Sequence, residues 1–194
     1  AGVLSRKGMV ADVSFYLLYE AADAVLRMEN CKLDVQKVLL QMLPEFYLQG
    51  TQLQRLNQLF KDQPIPRQNL LLTIPMDVVL GANKATAEVL ERYLRNGICL
   101  VVDGYDPAKL PMEKLKTMGF TYVRLAPELY MKQETANAMH LLRQEGFVLI
   151  GGKADDHDTL AWLIACGVAF SSGTLTGVPV SEDELIRDSL AREK

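Results

Sequence analysis

Five short apolar runs alternate with amphipathic segments that stop at glycine, and this alternation limits the fold more than any other feature of the chain. The runs are Val38-Leu39-Leu40-Gln41, Leu70-Leu71-Leu72-Thr73-Ile74, Ile98-Cys99-Leu100-Val101-Val102-Asp103, Tyr122-Val123-Arg124-Leu125-Ala126 and Val148-Leu149-Ile150-Gly151-Gly152. Each is too short and too continuously apolar for an amphipathic helix, so each reads as a buried parallel strand. Between them the apolar residues return at helical spacing. The pattern predicts helices over 11–29, 51–62, 84–96, 111–118, 133–145 and 157–166. Four of these end at Gly97, Gly119, Gly146 and Gly167, where glycine accepts the left-handed conformation that closes many helices. Strict alternation of strand and helix implies right-handed crossovers and a parallel sheet, closed as a barrel or left open.

The first run is expected to extend from Val38 to Leu43, with Pro44 as its punctuation. Pro64 and Pro66 are expected to stiffen the connector into the Leu70 strand. Val168 to Ser171 is the last and weakest of at most six strands. A full eight-stranded barrel takes about 250 residues, and this chain has 194. The expected fold is therefore α/β and TIM-barrel-like, truncated or incomplete at the N-terminus. Residues 1–10 are expected to be disordered or a linker, and residues 11–194 to form one domain.

Composition excludes several classes of partner. Net charge is −3, and the 21 Lys and Arg are spread along the chain, with no concentrated basic face for a phosphate backbone. Nucleic acid is not an expected partner. No apolar stretch approaches the roughly 20 residues of a membrane span, so no membrane association is expected. Three separated cysteines, Cys31, Cys99 and Cys166, fit reduced thiols and a cytoplasmic location rather than a disulfide framework or a zinc site. No Ser-His-Asp or Cys-His arrangement can be assembled from His140 and His157. Gly151-Gly152-Lys153 lacks the upstream glycine of a P-loop.

From about Leu17 to Pro179 the chain resembles the EAL family, the bacterial phosphodiesterases that hydrolyse cyclic di-GMP. Val38 to Leu43 falls where the family has a strand ending in an asparagine metal ligand. Pro66 to Pro75 falls on the approach to its Glu-x-Thr-Glu strand, and Gly97 to Tyr105 on the strand that ends Asp-Asp-Phe-Gly. Leu115 to Ala126 matches the stretch ending Leu-Lys-Ile-Asp, and Ile150 to Asp155 the Ala-Glu-Gly-Val-Glu strand end. Ser172 to Pro179 matches the closing Gln-Gly-Tyr-Leu-Phe-x-x-Pro. The name-giving Glu-Ala-Leu strand is expected upstream of residue 1. Glu20-Ala21-Ala22 stands too close to Gln41 to be that motif, and helical periodicity runs through it.

What the resemblance implies for function lies in the departures. The asparagine ligand becomes Gln41, the metal-binding glutamate Thr73, the second aspartate Gly104 and the catalytic lysine Arg124. The following aspartate becomes Ala126, the glutamate of Ala-Glu-Gly becomes Gly152, and the closing glutamine becomes Ser172. Only Asp103 survives. The expectation is a catalytically inactive EAL-like domain with no catalytic residue and no cofactor. Such a domain would act as a protein-interaction or regulatory module in cyclic di-GMP signalling, through a protein partner or a homodimer. The alternative is a non-catalytic cyclic di-GMP receptor using Gln41, Asp103, Arg124 and Ser172; an active phosphodiesterase is the least favoured reading.

Some residues leave alternatives open. Asp103 with Asp155 and Asp156 could make a makeshift cation site, although hard cations want several oxygen ligands. Asp156 or Asp158 could instead cap the helix that follows. Arg124 suits either a bidentate phosphate grip or a pairing with Asp103. The loop Ser171-Ser172-Gly173-Thr174 could offer backbone amides to a phosphate or be a plain turn.

Overall fold

In a computed structural model the chain is described over residues 9–48, 51–63 and 65–192. The expected linker at 1–10 lies outside these residues except for Met9 and Val10, and so does Pro64 of the expected stiff connector. The chain divides into two compact units, one of residues 1–72 with 179–194 and one of residues 73–178. Six strands form one sheet whose order follows the chain, the α/β, TIM-barrel-like architecture the alternation predicts.

The first unit opens with α1 (Val10–Asn30), which buries Val10, Ala11, Ser14, Phe15, Leu18, Ala22 and Val25. That three-and-four spacing puts one apolar stripe on one side of the helix. Glu20-Ala21-Ala22 lies within it, so no strand passes there. Phe15 meets Phe46 with ring centroids 5.4 Å apart, and the Arg55 guanidinium lies 3.9 Å over the Phe15 ring. Each such fully buried large apolar side chain contributes about 1.5–3 kcal/mol.

Strand β1 spans Val38–Leu40, which corrects the expected buried strand of Val38 to Leu43. All three residues are half-buried, because β1 is an edge strand and has a sheet neighbour on one side only. Pro44 therefore does not end the strand. It begins a short helix, α2 (Pro44–Leu48), since a proline in the first turn gives up a donor that has no helical partner there. The helix α3 (Gln52–Asp62) follows and buries Leu53, Leu56 and Leu59. β2 (Leu70–Pro75) pairs in parallel with β1, Val38 opposite Leu70 and Leu40 opposite Leu72. The unit's other segment forms a helix the periodicity did not predict, Glu182–Arg192.

In the second unit β2 runs straight into α4 (Met76–Leu80), also unpredicted. Then come α5 (Lys84–Arg95), β3 (Cys99–Tyr105), α6 (Met112–Met118), β4 (Tyr122–Leu125), α7 (Gln133–Gln144), β5 (Val148–Gly151), α8 (His157–Ala165) and β6 (Phe170–Ser171). The helix Glu182–Arg192 is α9. β3–β4, β4–β5 and β5–β6 are all parallel. Gly97, Gly119, Gly146 and Gly167 hold φ of 75°, 86°, 86° and 73°, the left-handed closures their positions predict.

Strand β3 does not close on Asp103 as the sequence suggested. A bulge at Gly104, φ 70°, carries the strand on to Tyr105, which pairs with Leu125. The extra residue needs the left-handed conformation that glycine adopts at little cost.

Candidate functional site

The chemistry-bearing side chains of the second unit gather at the C-terminal ends of β3, β4 and β5. Asp103 and Arg124 are register partners on adjacent parallel strands, so their side chains leave the sheet on the same face. The Arg124 Nη1 stands 3.5 Å from the Asp103 Oδ1, with both side chains about a quarter exposed, 27% and 25%. The pairing that the sequence left open is therefore formed.

Gly152 follows β5 and is buried. A Cβ placed there would lie 2.9 Å from Arg124 Nη2 and 3.4 Å from its Nε. The guanidinium thus fills the space in which any side chain at 152 would begin. The Tyr130 hydroxyl fixes the same residue, accepting from the Gly152 N–H at 2.8 Å and donating to its carbonyl at 2.9 Å. Burial pushes the Tyr130 hydroxyl above the ordinary phenol range, against the opposing pull of the Gly152 hydrogen bond and of Arg124. The Trp162 ring packs on Tyr130 at 5.5 Å between centroids.

Asp155 and Asp156 turn away from this centre. The Asp156 Oδ1 accepts the Thr159 N–H at 2.8 Å and its Oδ2 the Thr159 hydroxyl at 2.7 Å, capping α8. Those hydrogen bonds hold its carboxyl below the usual carboxylate range. The Asp155 Oδ1 accepts the Thr174 N–H at 2.8 Å. Ser172 is exposed, donates its N–H to the Gly151 carbonyl and accepts the Ala154 N–H. The amides of Ser172, Thr174 and Leu175 are all taken by the neighbouring 151–155 segment, donating to the Gly151 carbonyl, the Asp155 Oδ1 and the Ala154 carbonyl, so the loop does not offer them to an anion.

Thr73 is buried in β2, 1% exposed, and Gln41 is exposed just past β1 in the first unit. His140 lies on the surface of α7, where the sequence placed it. Among the described residues no three His, Cys, Asp or Glu side chains gather as metal ligands.

Sequence reasoning missed a cavity of about 230 Å³ beside Asp103, lined by Asp77, Asp106, Lys109 and Glu128 among others. Asp106 is 8% exposed, pairs with Lys109 at 3.2 Å and accepts the Ala108 N–H at 3.0 Å. Asp77, Asp106 and Glu128 lie one to three residues beyond the ends of β2, β3 and β4. Reading a few residues past each strand would have found them, because barrels place polar groups on those loops.

The EAL domain family profile matches residues 2–179, and the chain belongs to that family. No curated protein matches it by sequence. Solved structures with the same fold include the EAL enzyme Bd1971 in its cGMP-bound form, 13% identical at a TM-score of 0.81, covering 96% of this chain and 53% of that one. The chain thus spans about half the length of Bd1971. The PaMucR phosphodiesterase in complex with c-di-GMP is 12% identical at a TM-score of 0.81, with 95% and 78% covered. The FimX EAL domain of Xanthomonas citri in complex with c-diGMP is 8% identical at 0.75, with 91% and 73% covered. At such identities the likeness establishes the fold. No helix among the described residues is long and apolar enough to cross a membrane.

Proposed function

We propose that this chain is a non-catalytic EAL domain that works as a protein-interaction or regulatory module in cyclic di-GMP signalling, in the cytoplasm, through a protein partner or a second copy of itself. The observation that carries this reading is the occupancy of the Gly152 position by the Arg124 guanidinium. Where the resemblance implies a carboxylate, there is no side chain and no room for one. The surviving acid, Asp103, faces that same cation.

Hydrolysis of a phosphodiester in this family, as the resemblance implies, rests on metal ions that activate water. A hard divalent cation needs several oxygen ligands in one place. The donors here do not fit one: Asp103 is paired, Thr73 is a buried hydroxyl, Gly152 offers no side chain, Asp155 and Asp156 accept from Thr174 and Thr159, and Asp77, Asp106 and Glu128 around the adjoining cavity do not gather with Asp103 as a ligand set.

The second reading is a receptor that binds cyclic di-GMP without cleaving it. It is favoured by Arg124, which is a quarter exposed and holds Asp103 at a long 3.5 Å, so it can exchange that partner for a phosphate. Asp103 and Ser172, in the same unit, would complete such a site. Against it stand Asp77, Asp106 and Glu128, which add negative charge around the adjoining cavity.

Two measurements on the purified chain test these readings. Incubation with cyclic di-GMP and magnesium or manganese is expected to give no product, and turnover above a blank overturns the non-catalytic reading. Isothermal titration with cyclic di-GMP is expected to show no micromolar binding. Binding that disappears in Arg124→Ala would instead establish the receptor.

A further inference from the structure

We propose that the exposed segment Val178-Pro179-Val180 is a docking strand, which adds to the open sheet edge of a partner protein through the main-chain groups of Val178 and Val180. This rests on the interaction-module reading and names both the segment that docks and the surface it meets. Residues 174–181 are all exposed. Within them Val178 is 64% and Val180 47% exposed, although β-branched side chains ordinarily pack on a pleated surface.

The segment is held open from both ends. Upstream, the Thr176 and Gly177 N–H groups both donate to the Gly173 carbonyl, and Gly177 leaves that turn at φ 150°, a conformation open essentially to glycine alone. Downstream, the Ser181 N–H donates to Glu184 Oε2 at 2.9 Å as α9 begins. Between these anchors the N–H and C=O groups of Val178 and Val180 have no hydrogen-bond partner among the described residues. No internal bond has to break before another strand pairs with them.

Pro179 decides the kind of surface. The residue before a proline is held extended, and in an extended chain the main-chain polar groups of 178 and 180 point to one side while those of 179 point to the other. Pro179 lacks an N–H, so its side cannot continue a ladder, whereas the side of Val178 and Val180 offers both donors and acceptors. That is the make-up of a strand that pairs once and then closes the edge. Both valine side chains share one face, the alternation that gives added strands their specificity. Pairing over three residues already occurs in this protein, where Val38 to Leu40 lie along β2. Beyond the segment Asp183 is exposed and has no ion pair among the described residues. It complements the lysines that guard many natural sheet edges.

Photo-crosslinking tests this, with p-benzoylphenylalanine placed at position 179 of the full chain in its native cell. The crosslinked peptide is expected to map to an edge strand of one captured protein. That protein, purified, should bind the unmodified chain about tenfold more tightly than Val180→Pro, which loses a donor on the pairing side. Pro179→Ala should bind within about twofold of the unmodified chain, because it restores an N–H only on the far side. Circular dichroism checks that each variant is folded. Failure to capture a protein, a crosslink in a helix or a groove, or binding indifferent to Val180→Pro overturns the proposal. Loss of binding in Pro179→Ala also overturns it and assigns the segment to recognition of the proline ring. Hydrolysis of cyclic di-GMP would defeat the non-catalytic reading and leave an edge-strand crosslink standing; no hydrolysis and no crosslink would overturn the docking strand alone.

Discussion

The Tyr130 hydroxyl satisfies both backbone polar groups of Gly152, as acceptor at 2.8 Å and donor at 2.9 Å. Gly152 is buried, so water is poorly placed to replace that hydroxyl. Tyr130→Phe keeps the ring against Trp162 and removes only the oxygen. It should destabilise the fold by about 1–3 kcal/mol, the penalty for leaving a buried donor and acceptor unmet. A urea titration that moves the midpoint by less than the experimental scatter would show that Gly152 finds other partners.

Position 152 is also coupled to Arg124. A methyl group there meets the end of a flexible side chain, 2.9 Å from Nη2, so the guanidinium must move and its pairing with Asp103 is disturbed. Gly152→Ala should cost about 1 kcal/mol, the low end of overpacking. The cost should shrink when Arg124 is already alanine. A double-mutant cycle with zero coupling would place the two side chains apart.

These two contacts mark where sequence reasoning stops. Gly97, Gly119, Gly146 and Gly167 announce helix ends because one residue type meets one local backbone need. The Asp156 cap was legible for the same reason. The Asp103–Arg124 pair remained one of two options, because the register of neighbouring strands decides whether positions twenty-one residues apart face each other. That Arg124 fills the space above Gly152 is a tertiary fact with no local signature. α9 was different. Its Ser181-Glu182-Asp183-Glu184 start is a capping box, in which the Glu184 N–H donates to Ser181 Oγ at 3.3 Å and the Ser181 N–H to Glu184 Oε2 at 2.9 Å, and that signal stood in the sequence.

Two buried phenols in the second unit are expected to weaken it at alkaline pH. Tyr93 and Tyr105 are both pushed up to about 12, first by burial, and for Tyr105 further by Glu113 and Asp106. A raised folded value means that the native state holds its proton where the unfolded chain has lost it. Their contribution is complete below the unfolded value near 10 and is lost as pH rises through about 12. Between those values each should erode stability by about 1.4 kcal/mol per pH unit. Tyrosinate absorbance should show these two ionising together with the loss of far-ultraviolet dichroism. Phenylalanine at 105 should shift the unfolding midpoint to higher pH; early titration in the folded state would contradict the assignment.

The first unit's two chain segments are tied by a fork between Arg27 and Glu182. The Arg27 Nε and Nη2 donate to Glu182 Oε1 and Oε2 at 2.5 and 2.7 Å. The hydrogen bond from Arg27 holds the Glu182 carboxyl below the usual range. Bidentate geometry gives this pair more purchase than a single lysine contact would have. It nevertheless sits at the surface, where salt screens it, and α9 is otherwise mostly exposed. Because the Glu182 value is depressed on folding, its contribution is present above the ordinary glutamate range and is lost as pH falls through the lower folded value. Arg27→Ala should therefore speed amide exchange across 182–192 while leaving α1, whose stripe is packed independently, protected. Molar salt should do the same to the unmodified chain, and Arg27→Lys should fall between the two, since it keeps the charge and loses the fork. Exchange in α9 that ignores all three changes would mean the helix is held by Ile186 and its neighbours rather than by this pair.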